Sequence, residues 1–292
     1  MAETPAQAPP RSAPPRDRPP TTGSPFAVLR PFERFAFRVM RFFNAGRGAP
    51  WTLAWQRIVL DPVFSMFVSR RTIVRGLERL QTIPDRASFM LVSNHRSFFD
   101  QFIIGWVLFC SERYNRKSSF PVRANFFYEN PLGLFISIFL SGGSMFPPFF
   151  RRPEAKAFNR YSLSVLVDLF RKPGNLIGFH PEGTRNKGDD PYHLLPAQPG
   201  AGEIALKARP IIVPAFITGL TNDLLSELWA NIRKKRPIVI VFGNPIDVND
   251  WPAQTRLSHA KKCADLFNEK IAALMDEEKT VRAETQSRQS GS

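Results

Sequence analysis

Two short apolar runs, residues 89–93 and 176–179, each end abruptly in a block of polar and charged residues. The first gives way to Asn94-His95-Arg96-Ser97-Phe98-Phe99-Asp100, the second to His180-Pro181-Glu182-Gly183-Thr184-Arg185. Short, continuous apolar runs fit buried strands, and the apolar spacing over residues 98–109 fits a helix. Strand, polar turn and helix in that order constrain the fold strongly. Strands separated by helices pack as a largely parallel sheet with helices on its faces. Further strands are expected at 120–124, 211–218 and 238–242, the second of them carrying Pro214. Helices are expected at 131–140, 153–170 and 255–275, with Pro131 and Pro153 at first-turn positions. The expected class is α/β: a mostly parallel sheet flanked by helices, preceded by an amphipathic helical pair.

That pair occupies residues 26–70. Phe32, Phe35, Ala36, Val39, Met40 and Phe43 recur at helical spacing, while Arg34, Arg38 and Arg41 share another face. A second apolar run at 51–68 is broken by Arg57 and Asp61. Basic on one side and aromatic on the other, such helices suit a bilayer interface; the alternative is a hairpin packed on the domain's own core. Residues 1–25 are dense in proline without hydrophobic periodicity and read as a disordered arm. Residues 279–292 read as a flexible tail.

The formal charge of +15 suits an anionic partner: nucleic acid, acidic lipid or a phosphorylated carrier. The 27 Phe stand against 4 Tyr and 5 Trp, and no RNA-module, helix-turn-helix or zinc-finger pattern occurs, so a lipid surface is preferred and no nucleic acid is expected. Cys110 and Cys263 lie far apart, which implies neither a disulfide framework nor a cysteine zinc site and fits a reducing compartment. No charged start leads into an apolar run, and no stretch of about 20 uninterrupted apolar residues occurs. Neither a secretory signal nor a spanning helix is expected.

The first block carries an oriented base. His95 and Asp100 would point about 140° apart on a straight helix. They meet only if the histidine sits in the strand–helix turn and the aspartate reaches back from the first helical turn, with Asn94 and Ser97 available as caps. An aspartate so placed fixes the imidazole tautomer and stabilises the imidazolium that forms on proton transfer. Ser93 and Ser97 are nearby hydroxyls, yet no Gly-x-Ser-x-Gly elbow is present. A substrate hydroxyl is the other group the histidine can deprotonate. In the second block Gly183 lets backbone approach a ligand closely, and Arg185 can grip a phosphate bidentately. Both blocks follow strands, where ligands of open α/β sheets bind.

These blocks resemble those of the 1-acylglycerol-3-phosphate acyltransferase (PlsC-like) family of glycerolipid acyltransferases. Asn94, His95 and Asp100 match its Asn-His-x-x-x-x-Asp block, and Pro181, Glu182, Gly183, Thr184 and Arg185 match its Pro-Glu-Gly-Thr-Arg block. Ile211-Ile212-Val213-Pro214 matches a third, apolar block around a proline. The similarity spans residues 74–246 and implies an acyltransferase domain over 71–278. It further implies that His95 deprotonates the acceptor hydroxyl for attack on an acyl thioester and that Asp100 orients it, with no acyl-enzyme. Glu182, Gly183, Thr184 and Arg185 would bind the acceptor's polar head.

The family's middle block usually reads Gly-x-x-Phe-Ile-Asp-Arg. Here the stretch 143–152 is longer, carries Pro147 and Pro148, and lacks the aspartate, so either Arg151 or Arg152 supplies the phosphate-binding arginine. His180 stands where an apolar residue is common; it either adds a titrating group or packs at the strand end. The resemblance implies no resident cofactor and no metal, with acyl-CoA or acyl carrier protein thioester as co-substrate and a lysophospholipid as acceptor. Glycerol 3-phosphate or a lyso-aminolipid is the alternative acceptor, and a catalytically idle lipid-binding protein the alternative function. A peripheral or monotopic position on the cytoplasmic face of a bilayer is expected.

Overall fold

The computed structural model describes residues 24–111, 116–252 and 256–290. The expected proline-rich arm lies outside these except at its last two positions. A seven-stranded sheet runs in the order β1-β7-β6-β2-β5-β3-β4. Its strands are β1 (Thr72–Arg75), β2 (Phe89–Ser93), β3 (Lys117–Arg123), β4 (Met145–Phe149), β5 (Asn175–Phe179), β6 (Ile211–Thr218) and β7 (Ile238–Phe242). All neighbours pair in parallel except β6 and β7. The fold is the expected α/β type.

Helices cover both faces because the central strands are apolar on both sides. In β2, Met90 and Val92 join one core cluster while Phe89 and Leu91 join the other, all buried. The first cluster is closed by α1 (Pro31–Ala45), α7 (Lys156–Arg171), α8 (Pro199–Ala208) and α10 (Leu257–Ala272). The second is closed by α3 (Asp61–Val68) and α4 (Asp100–Cys110).

Between α1 and α3 lies α2 (Ala49–Trp55), which runs into α3 through a π-helical turn at Gln56–Leu60. The wider turn brings Gln56 inward, where its amide donates to Ser118 O and Ser144 Oγ and its carbonyl oxygen accepts from Ser118 N. The N-terminal pair packs partly on the core and leaves part of its apolar surface open. Phe37 packs among Phe26, Phe146 and Phe158, while Phe35, Phe42, Trp51, Ile58 and Met66 stay exposed.

At the C-terminal end the chain differs from the flexible tail expected over 279–292. After α10, helix α11 (Met275–Ser290) continues, held by buried Val281 and by Glu278, which accepts from Thr218, Tyr192 and Arg282. Among the described residues no helix is long and apolar enough to cross a membrane.

Candidate active site

The sheet order brings the two polar blocks together. β2 and β5 are parallel neighbours with Val92 opposite Phe179, so both strands end at the same level. His95 leaves β2 and His180 leaves β5 side by side at the carboxyl edge. Asn94 is tied sideways to β6, donating to Ile217 O and accepting from Ile217 N, both at 2.8 Å. It therefore ends the strand with a ladder-like pair and does not cap α4. Gly178 in β5 leaves the space Gln101 needs: a Cβ there would lie 2.0 Å from Gln101 Oε1. The Gln101 amide in turn donates to Ser93 Oγ and Phe179 O.

Asp100 opens α4 and reaches back over the turn. Its Oδ2 lies 3.2 Å from His95 Nδ1 and accepts from Arg96 N at 2.7 Å and Ser97 N at 2.8 Å. The aspartate thus holds the turn and the imidazole with one oxygen. Its other oxygen is buried without a hydrogen-bond partner among the described residues. Burial raises the carboxyl to about 6, against the pull of the nearby imidazole and the two amides. Burial also lowers His95 to about 3, with the charges of Arg185 and Arg123 adding to the effect. At neutral pH the ring is a neutral base whose Nδ1–H faces a carboxylate, leaving Nε2 to take a proton.

Neither neighbouring serine is a free nucleophile. Ser93 is buried and holds Gln101 and His180, while Ser97 donates to Thr221 O at 2.7 Å and accepts from Phe99 N.

His180 stacks on His95, centroids 3.7 Å apart and planes 6° from parallel, and its Nδ1–H donates to Ser93 O at 3.0 Å. Ligand atoms of His95, Asp100 and His180 lie within 4.8 Å of one another, a spacing seen in metal sites. Ring lone pairs lie in the ring plane, however, and two parallel, stacked rings do not aim them at one centre. The arrangement suits proton transfer better than metal ligation.

Glu182 bridges the blocks. Its Oε1 accepts from His95 N and its Oε2 from Leu195 N, each at 2.8 Å, and burial raises its proton affinity. Both oxygens face backbone amides. Gly183 adopts φ +64°, a left-handed conformation, and Thr184 is exposed beside it. Arg185 donates to Asn222 Oδ1 at 2.9 Å.

The two middle-block arginines diverge. Arg152 grips both Glu33 oxygens at 2.7 and 2.6 Å, donates to Val28 O and lies over the Phe150 ring. Arg151 is exposed, and its charge is felt by Arg123. Sequence reasoning missed Arg123. It ends β3 on the same carboxyl edge, donates to Gly183 O at 2.6 Å, and projects its charge onto His95. Arg123 lies inside the strand expected at 120–124, and a basic residue closing that strand was the available signal.

Arg123 and Arg185 thus form a cationic rim beside the His95–Asp100 dyad, and Arg151 lies near Arg123. A largely apolar cleft runs along α4, lined by Leu60, Phe64, Phe102, Trp106 and Phe109.

A half-buried histidine set against a buried aspartate at the carboxyl edge of an α/β sheet, with two arginine charges beside it, is the arrangement the chain presents. Residues 71–218 match the family described as Acyltransferase, and the chain belongs to that family, as its resemblance to PlsC-like proteins implied. It is 30% identical over 127 residues to 1-acyl-sn-glycerol-3-phosphate acyltransferase of Haemophilus influenzae, covering 44% of this chain and 49% of that protein. The protein of the same name from Salmonella typhimurium is 29% identical over 136 residues, 46% of this chain and 51% of the relative. That from Escherichia coli is 28% identical over 114 residues, 39% and 43% respectively. The chain spans about half the length, or less, of the curated relatives it matches.

Proposed function

We propose that this protein moves a fatty acyl group from an acyl thioester, of coenzyme A or acyl carrier protein, to the hydroxyl of a lysophospholipid-type acceptor at a membrane surface. The observation that carries this reading is the His95–Asp100 dyad beside the Arg123 and Arg185 charges. His95 Nε2 accepts the acceptor's hydroxyl proton as the oxygen attacks the thioester carbonyl. The tetrahedral centre collapses, the carbon–sulfur bond breaks, and the imidazolium returns its proton to the leaving thiolate. Asp100 holds the tautomer and stabilises the imidazolium. A positioned base of this kind contributes ~10²–10⁴-fold.

The rim favours an acceptor bearing a phosphate, and the names of the relatives make 1-acylglycerol-3-phosphate the preferred one. The cleft along α4 is an apolar place suited to an acyl chain. No resident metal or cofactor enters these steps.

The test is thiol release from palmitoyl-CoA with a panel of lysophospholipids, glycerol 3-phosphate and lyso-aminolipids. Turnover is expected only with an acceptor present and fastest with 1-acylglycerol-3-phosphate. His95→Ala should lose it while keeping its fold by circular dichroism; near-normal turnover in that variant would sink the mechanism.

A further inference from the structure

Helix α9 (Leu224–Ile232) is inside out. Its polar residues face the protein: Glu227 is 2% exposed and Asn231 3%. Its large apolar residues face outward, with Leu225 70% and Trp229 55% exposed and Leu224 and Ile232 also open. A soluble helix normally shows the reverse pattern.

The inward side is fully engaged. Glu227 pairs with buried Arg71 and accepts from Thr221 N and Oγ1. Asn231 donates to Met66 O and accepts from Arg70 N, which clamps α9 to the end of α3. α9 packs beside α3, whose Val63 and Met66 are also exposed. Immediately after α9 come Arg233, Lys234, Lys235 and Arg236, all exposed, with the Arg233 guanidinium 5.1 Å from the centre of the Trp229 ring.

We propose that α9 is a membrane-docking element beyond the N-terminal helices: its outward row enters the interface of an anionic bilayer while residues 233–236 engage the headgroups. It rests on the reading above that the protein works on lipid at a membrane. The occupant follows from charge. A second copy of a chain carrying +15 would set like charge against like, whereas an anionic lipid surface complements an apolar row flanked by cations.

Docking there also reaches the site. The segment leading into α9 is tied to the catalytic turn: Ser97 Oγ donates to Thr221 O, Phe98 N donates to Asn222 Oδ1, and Arg185 donates to the same oxygen. Seating α9 on lipid holds Arg185 at a fixed position relative to the headgroup plane.

The experiment is flotation of the full chain on phosphatidylcholine vesicles with and without phosphatidylglycerol. Wild type should bind the anionic vesicles more tightly, and less so as salt rises. Leu225→Ser with Trp229→Ser should weaken binding about tenfold or more, since each removes an apolar side chain from the lipid. Arg233→Gln with Lys234→Gln and Lys235→Gln should clearly reduce the preference for phosphatidylglycerol and its sensitivity to salt. All these positions are exposed, and unchanged melting by circular dichroism will show that the variants fold.

Wild-type-like flotation of both variants would overturn the proposal. So would a wild-type dimer in light scattering that the Leu225/Trp229 variant dissolves without loss of flotation. Thiol release from palmitoyl-CoA with detergent-dispersed 1-acylglycerol-3-phosphate separates this from the catalytic reading. The α9 variants should retain it and His95→Ala should not. If wild type releases no thiol, the catalytic reading fails while the flotation result stands.

Discussion

The imidazole of His180 lies face to face with that of His95, centroids 3.7 Å apart. His180 is the first residue beyond β5, and its Nδ1–H is committed to the Ser93 carbonyl. One face of the base is thereby closed by a flat, anchored ring, and His95 cannot tip away from Asp100 on that side. Burial lowers both rings to about 3, and the field of His95 adds to the effect on His180. The stack is one of two neutral rings, and of the two only His95 is within hydrogen-bond reach of the Asp100 carboxylate.

His180→Phe keeps a flat ring against His95 but leaves the Ser93 carbonyl without that donor. His180→Ala removes the platform. We expect kcat within a few-fold of wild type for the phenylalanine variant and a clearly larger loss for alanine, with stability lowered by about 1–2 kcal/mol in the former. Equal kcat in both variants and wild type would show that the stack positions nothing.

The pH dependence follows from Asp100. Its carboxyl titrates near 6 in the folded chain, against 3.8 for an ordinary aspartate. Below about 6 it is protonated and stops orienting a neutral His95, so kcat/KM should rise about tenfold per pH unit up to about 6 and then level. Because the folded state binds this proton more tightly than the unfolded chain, Asp100 favours folding at low pH. That contribution is lost as pH rises from 3.8 to about 6. Asp100→Asn should therefore lose roughly 10²–10⁴-fold in turnover without losing stability at pH 7. A pH-independent rate across 5 to 7 (about one unit either side of the transition) would contradict this assignment.

The parts of the fold written in apolar runs were legible. β2, β6 and β7 follow from their buried side chains, and the strand-to-turn order placed both blocks at one edge. Other elements rest on long-range partners. β3 begins with Lys117 and Ser119, polar yet buried, and Lys117 finds Asn44 on α1. β4 contains Pro147 and Pro148, which argue against a strand, but it is the edge strand, where a missing N–H is tolerated. α11 looks like a charged tail until Glu278 and Arg282 meet Thr218. In the site, the His95–Asp100 pair was readable from the strand–turn–helix order and the family resemblance, not from spacing alone. The role of Glu182 was not, since both of its partners are backbone amides.

Glu182 separates two roles. The family resemblance implies contact with the acceptor's head, whereas its two oxygens here hold His95 N and Leu195 N. Glu182→Ala leaves two amides unpaired, at about 1–3 kcal/mol each, and frees the turn that carries the base. We expect lower thermal stability and lower kcat with the acceptor KM little changed. A rise in KM at unchanged kcat would return Glu182 to the acceptor.

Arg151 and Arg152 are adjacent, but opposite outcomes are expected on mutating them. Arg152 is committed to Glu33, which is 1% exposed and whose ionised form it holds together with Arg30 N. Arg152→Ala strands that carboxylate inside α1, so stability should fall by about 2–4 kcal/mol while the acceptor KM of the folded fraction stays close to wild type. Arg151 has no such duty and faces solvent near Arg123. Arg151→Ala should leave melting unchanged and raise the KM for a phosphate-bearing acceptor about tenfold, the loss of one charge-assisted contact. With an acceptor lacking phosphate the same variant should show no penalty. If Arg152→Ala raises KM and Arg151→Ala does not, the phosphate is held from the α1 side of the site instead.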